Sequence, residues 1–472
     1  MLRTTTSTVT VLAALFVAGA TLHPSAAQAK KMTLQQLIDT ARTANPGLAA
    51  SGAAVGAMEA QVSEAWRNWL PTGDLLSLLA PSPNIGCKIP TDRNGNDVSM
   101  GADSRQNCIA TGNTEASITN VSWTRVFTRT EVKLIQPVYD FGKISAGVSA
   151  AEAGVQVTRE RQAGARADLE LNVRKAYYGM KLARELLSTL EEGSGYVDDG
   201  IKTIEKDLAA GKGTATVTDR LRLRTVRAEL DARLLETRRL GELARDSLRT
   251  LLGADAPADL DVDDDPFEPI EVAQRPVTYY EDMARMNRPE ARLLDHAVKA
   301  KWALVDLERR REYPDLVLIG TFTYAHAGGV EDPQNAYYNH YFNSLTGGVA
   351  AALRLQLDLG PKLARAARTR AEANEFEFRR SEALGGIVLD VRKTYGELKE
   401  ATARTEAVHK GERAGKSWIS AVAQNFTVGL AEARDLSDAL LAFFQMRARY
   451  LQSVFDQNVA AAALTRATGT SP

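Results

Sequence analysis

The chain has 472 residues and a formal net charge of −1, with 58 Lys and Arg against 59 Asp and Glu. That balance offers no basic surface for nucleic acid. The five scattered histidines (His23, His296, His326, His340, His409) form no metal or catalytic cluster. Charged residues make up 25% and aromatics only 6%, which suits long solvated helices better than an aromatic-rich sandwich.

Residues 1–29 read as a secretory signal: Arg3 is the charged start, Val9 to Ala20 an apolar stretch, and Ala27-Gln28-Ala29 a small-residue cleavage site. The mature chain then starts near Lys30, with no cysteine there for a lipid anchor. No later segment offers the roughly 18–20 consecutive apolar residues of a membrane helix. An exported chain of this kind is either soluble or crosses a membrane by strands. Cys87 and Cys108 lie in a loop-like stretch. Oxidising conditions after export favour a disulfide between them, and no nearby histidine supports a two-cysteine metal site.

Residues 33–44 and 47–69 read as helices broken at Asn45-Pro46, with proline tolerated in the first turn. Pro71 ends the second, and a strand is expected at about 72–82. A long polar loop with both cysteines follows, then a weakly alternating strand at about 121–140. From Lys143 to about Leu208 there is no proline. Leu169, Val173, Ala176, Met180, Ala183, Leu187 and Leu190 step by four and three, a heptad seam. Gly211-Lys212-Gly213 turns this helix into a return helix at about 216–252. Residues 255–276, with Asp261, Asp263, Asp264, Asp265 and several prolines, read as a linker or side excursion, the acidic run fitting a solvated loop better than a calcium site.

The same order then repeats. Asn45-Pro46 and Leu70-Pro71 correspond to Arg288-Pro289 and Tyr313-Pro314 at the same spacing. Asp140-Phe141-Gly142 recurs as Asp358-Leu359-Gly360, Arg174, Lys175 and Tyr177 as Arg392, Lys393 and Tyr395, and Gly253 as Gly469. Helices are expected at about 277–287 and 289–312, strands at about 315–326 and 346–358, and a helical hairpin at about 361–468, with its turn at Val428-Gly429-Leu430. Val349, Ala351, Leu353, Leu355 and Leu357 alternate with Ala350, Ala352, Arg354, Gln356 and Asp358. That period of two fits either a half-buried soluble strand or a barrel strand between lipid and water. Tyr337, Tyr338, Tyr341 and Phe342 in the intervening loop suit either a membrane-interface girdle or loop packing. The second heptad seam is Ile387, Val391, Thr394, Leu398, Ala401, Thr405 and Val408. The expected division is therefore 1–29, 30–254, 255–276 and 277–472. The fold class is mostly α with a membrane β-barrel portion. Four strands cannot close a barrel, and open edges are forbidden in lipid. Three chains would supply twelve.

In this arrangement the chain resembles the outer-membrane efflux family, the TolC-like channels. The resemblance rests on the duplicated proline-bounded helix and strand, on Gln136-Pro137-Val138-Tyr139-Asp140-Phe141-Gly142, and on the Val428-Gly429-Leu430 turn with Asp435 behind it. It implies a homotrimer in outer-membrane lipid, with a 12-strand β-barrel and a long periplasmic α-helical barrel. Such a duct serves a tripartite efflux pump or type I secretion system, with a periplasmic adaptor (membrane fusion) protein and an inner-membrane transporter of the resistance-nodulation-division or ABC type. It implies no enzyme activity and no cofactor. Gly211, Lys212, Gly213 and Thr214, with Val428, Gly429 and Leu430, match the tips where an adaptor docks; glycine turns also serve ordinary hairpins. Asp435 and Asp438 match aspartates lining the pore entrance, although acids in a first helical turn also complement its dipole. Some members latch the entrance with a basic residue shortly after the tip glycine. Here Leu430, Ala431 and Glu432 follow Gly429, and Arg434 is shifted along. The alternative to a channel is a non-pore periplasmic coiled-coil scaffold or adaptor.

Overall fold

A computed structural model describes residues 30–87, 93–94, 114–210, 216–257, 259–273, 275–328, 330, 341–428 and 430–470. The expected signal at 1–29 lies outside the described residues, as do Cys108, Gly211 to Thr214, Gly429, Tyr337 and Tyr338. The Cys87–Cys108 pairing therefore falls outside them too.

Strand β1 (Lys30–Met32) leads into helices α1 (Leu34–Ala44) and α2 (Pro46–Arg67). Thr33 and Gln36 close a reciprocal capping box at the start of α1. The Asn45 carboxamide oxygen accepts from Leu48 N at 3.0 Å and caps α2, with Pro46 at its first position. Strands β2 (Thr72–Cys87) and β3 (Thr114–Tyr139) follow, then the 68-residue α3 (Lys143–Ala210) and α4 (Val217–Leu252). After β4 (Leu260–Val262) the order recurs as α5 (Val277–Asn287), α6 (Pro289–Arg310), β5 (Asp315–Ala327), β6 (Ser344–Arg354), the 69-residue α7 (Leu359–Thr427) and α8 (Ala433–Thr468).

The copies match down to their caps. Gly253 and Gly469 end the return helices at φ 72° and 68°. A Cβ on Gly253 would strike the Ala44 carbonyl, and one on Gly469 would lie 2.7 Å from Asn287 O. Only glycine permits both the dihedral and the approach. Each return helix thus abuts the break between the short helices of its own copy.

At about 1.5 Å per residue, α3 and α7 are each roughly 100 Å long. Isolated helices of this length gain most of their stability from a buried stripe, and the heptad seams supply it. Leu169, Val173, Met180, Ala183 and Leu190 are buried along α3, and Ile387, Val391, Thr394, Leu398, Ala401 and Thr405 along α7. Towards the tips, Val197, Ile204, Leu223 and Leu230 of the first hairpin meet Ile419, Leu436, Leu440 and Phe444 of the second. One apolar core therefore joins the two hairpins.

Strands β2, β3, β5 and β6 form one antiparallel sheet in that order. The first hairpin runs further than expected, to Cys87 and from Thr114. The last strand is shorter, ending at Arg354 rather than 358, because its partner β5 begins at Asp315, opposite Arg354. Leu355 and Leu357 continue the alternation but have no strand to pair with, and both are exposed.

The linker departs most from expectation. It is not a free solvated loop. β4 pairs in parallel with β1, and Leu260 and Val262 are buried with Met32, Leu37 and Val173. The acids face α3: Arg184 donates to Asp261 Oδ1 at 2.6 Å and to Val262 O at 2.9 Å, and Lys181 is paired with Asp263. Further along, Asn458 of α8 accepts from Ile270 N at 2.7 Å and donates to Glu268 O at 3.0 Å. The linker is a belt fastened to both hairpins.

Candidate functional site

The register sorts the sheet's side chains onto two faces, because successive residues point to opposite sides. One face carries Leu75 and Leu79 of β2, Val132 and Leu134 of β3, Leu318, Phe322 and Tyr324 of β5, and Leu345, Val349 and Leu353 of β6. It holds no Asp, Glu, Lys or Arg over the paired strands from Thr72 to Ala80, and its large apolar residues are exposed: Leu75 73%, Val349 78%, Leu353 72%. The other face holds the charges: Asp74, Arg129, Glu131, Lys133, Asp315 and Arg354. An exposed apolar face of this extent marks an interaction surface, of the kind that meets a membrane or another protein. Among the described residues β2 and β6 are the sheet's free edges.

The helix tips lie at the far end of the hairpins from the sheet. Val428 and Leu430, two of the expected docking residues, are 67% and 80% exposed. Behind them Glu432 caps α8, and Asp435 accepts from Glu432 N at 3.2 Å in a reciprocal box. Asp219 closes the equivalent box with Thr216 at the first tip. Asp435 is thus a capping residue as well as a candidate pore residue. Asp435 and Asp438 are both exposed, while Leu436, Ala439 and Leu440 between and beyond them are buried. The two carboxylates therefore share the face turned away from the hairpin core. Arg434 reaches its own Asp438 at 3.9 Å, one turn on. Among the described residues no group of three or more His, Cys, Asp or Glu is placed to hold a metal ion, and no helix is long and apolar enough to cross a membrane.

The outer membrane efflux protein profile matches residues 104–254 and 281–470, well over half of the chain and one block in each repeat. The chain belongs to the outer membrane efflux protein family. Over 207 residues this efflux protein is 27% identical to the cobalt-zinc-cadmium resistance protein CzcC of Cupriavidus metallidurans, covering 42% of the chain. The match spans about half of that relative's length, 47%. The outer membrane protein VceC of Vibrio cholerae has the same fold, with a TM-score of 0.69 at 16% identity over 93% of this chain and 96% of that one. So does the open state of the MtrE outer membrane channel of Neisseria gonorrhoeae, with a TM-score of 0.64 at 20% identity over 93% and 89%. The efflux protein is accordingly an outer-membrane protein whose helices extend into the periplasm.

Some residues matter more than their sequence pattern suggests. Arg392, which the sequence marks only as a repeat of Arg174, is paired with the buried Glu281 at 2.7 Å. Tyr177, Lys181 and Arg184 hold the belt. Burial and then the hydrogen bond to Asp263 push the Tyr177 hydroxyl far above its ordinary value, so it stays a donor. No local signal marks these three, because their partners lie 77 to 86 positions away.

Proposed function

We propose that three copies of this efflux protein close a twelve-stranded barrel in the outer membrane and a long helical barrel in the periplasm. This duct is the exit of a tripartite efflux pump or a type I secretion system. The sheet carries the reading: it has an exposed, uncharged apolar face and two free edges. Each unpaired backbone group at such an edge costs several kcal/mol in lipid. Pairing β6 of one copy with β2 of the next removes both edges, and three copies give an even strand number within the bacterial range. A non-pore scaffold would have no use for this face.

In the assembled duct, Asp435 and Asp438 form two rings of three carboxylates at the periplasmic entrance. Such rings narrow the closed pore and favour cations. Opening is a rearrangement of the tip helices biased by partners. A periplasmic adaptor docks at Gly211 to Thr214 and at Val428, Gly429 and Leu430. An inner-membrane transporter, of the resistance-nodulation-division or ABC type, supplies the energy. The likeness to CzcC makes divalent metal ions the first cargo to test. Selection among cargoes belongs to the transporter and adaptor, because the duct's few histidines offer no dedicated metal route.

The test is conductance of the purified trimer in a planar bilayer, beside Asp435→Ala/Asp438→Ala. Small cation-selective currents are expected, growing or losing selectivity in the variant. Unchanged currents would discard the acidic entrance and keep the pore. A folded trimer that conducts nothing would leave only the scaffold.

A further inference from the structure

The lumenal face of the sheet carries a built aromatic cluster at its outer end. Phe127 lies on the same face as Arg129, Glu131 and Lys133, opposite the apolar membrane face. It is only 5% exposed even in a single chain. Its cover comes from the return into β6: the Phe342 ring meets it edge-on at 5.3 Å and the Tyr341 ring at 6.3 Å. Ala325, Ala327 and Val330 complete the cluster.

Polar contacts hold this cover to the lumenal side. The Arg129 guanidinium stacks 4.2 Å from the Tyr341 ring centre and donates to Tyr341 O at 3.2 Å. Glu131 holds Arg129 from below. Asn343 accepts from Ala327 N at 2.7 Å and donates to Val330 O at 3.0 Å. Arg125 donates to Gly328 O at 3.0 Å. Tyr341 and Phe342 thus rest on the charged face, which favours loop packing over a membrane girdle for these two residues.

The height of the cluster follows from the strand. From Tyr139 back to Phe127, β3 rises roughly 40 Å at about 3.3 Å per residue. A tilt near 40° leaves about 30 Å along the membrane normal, one hydrocarbon core. Tyr139, Phe141 and Tyr313 pack together at the inner end of that span, where strand gives way to helix. Phe127 therefore sits level with the outer membrane surface, inside the barrel.

We infer that Tyr341 and Phe342, seated on Phe127 and Arg129, form a size-selective constriction at the outer mouth of the duct, separate from the acidic periplasmic entrance. The inference rests on the proposed barrel. Tyr341 stays 58% exposed although its ring rests on Arg129 and against Phe342. Three such residues, one per copy, narrow the mouth with aromatic surface. Large molecules outside the cell are held back, while small ones pass.

The test places a reporter below the cluster on the lumenal wall. Thr323→Cys is made with Cys87→Ser and Cys108→Ser, and intact cells are treated with a small maleimide or a bulky polymer-linked one. The small reagent is expected to label Cys at this site readily and the bulky one roughly tenfold more slowly or worse, as a narrow pore requires. Adding Tyr341→Ala/Phe342→Ala should bring the two rates together, while Tyr341→Phe keeps them apart. Arg129→Gln, which leaves both rings and loosens their seat, should narrow the difference. Detergent-extracted, heat-resistant trimers verify folding of each variant. Equal labelling by both reagents before the aromatics are removed would overturn the constriction and leave the barrel standing. Failure of even the small reagent to reach position 323 in a folded trimer would overturn a mouth that passes small molecules, whereas absence of any detergent-extracted trimer of the unaltered chain would overturn the barrel reading.

Discussion

Lys181→Met tests the belt directly. The Lys181 side chain is 5% exposed and paired with Asp263, itself 14% exposed. Methionine keeps the aliphatic stem packed and removes the charge. Stranding one member of a buried pair costs about 3–5 kcal/mol. Asp263 retains the Tyr177 hydroxyl at 3.0 Å and is not fully buried, so the expected loss is about 2–3 kcal/mol. That loss falls on docking of the belt, not on the long hairpins. The Asp263 amide, bonded to Met32 O at 3.2 Å, should then exchange with deuterium about 30- to 150-fold faster. Amides in the middle of α3 should be unaffected. Lys181→Met/Asp263→Asn should recover most of the protection, because asparagine keeps an acceptor for Tyr177 and carries no charge. Unchanged exchange in Lys181→Met would refute the argument. So would a double variant as unprotected as the single one.

Three further variants probe the packing of the hairpins. Arg466 bonds Asp168 at 2.6 Å and is paired with Glu290. Burial alone would raise the Glu290 carboxyl, but the hydrogen bond and charge of Arg466 outweigh it and hold it below the ordinary range. A depressed folded pKa contributes stability above the unfolded value of about 4.3 and loses it as pH falls through the lower folded one. Thermal unfolding of Arg466→Met should therefore show a deficit at neutral pH that shrinks below about pH 4. Gly193→Ala would put a Cβ 2.6 Å from the Phe444 ring between α3 and α8, an overpacking of about 1–3 kcal/mol. Gly411→Ala meets only the flexible end of Met446 and should cost less than about 1 kcal/mol. Thermal midpoints of the two variants should fall in that order.

The sequence by itself determined the element order and most of the breaks, because those signals are local. Pro46 and Pro289 remove a backbone donor at the helix breaks whatever surrounds them, and Gly253 and Gly469 alone tolerate their dihedrals. The heptad seams are likewise legible, since a helix presents a 4-3 spacing on one side in any context. Alternation at Val349 to Leu353 marked a two-faced strand, but the faces of β2 and β3 became clear only in register. There Leu75 joins Val132 and Phe322, and Asp74 joins Lys133 and Thr321. The candidate site was half legible. Asp435 and Asp438 are located by the resemblance to the family, whereas the capping bond of Asp435 depends on how the turn closes. The partners that hold the belt and the aromatic cover were not legible, although Tyr341 and Phe342 stood out as loop aromatics. Lys181 and Asp263 are 82 positions apart, and Arg129 and Tyr341 are 212 apart. No local pattern encodes such pairs. Only tertiary packing brings them close enough for charge, hydrogen bond and ring to act on one another, and these interactions fade within a few ångströms.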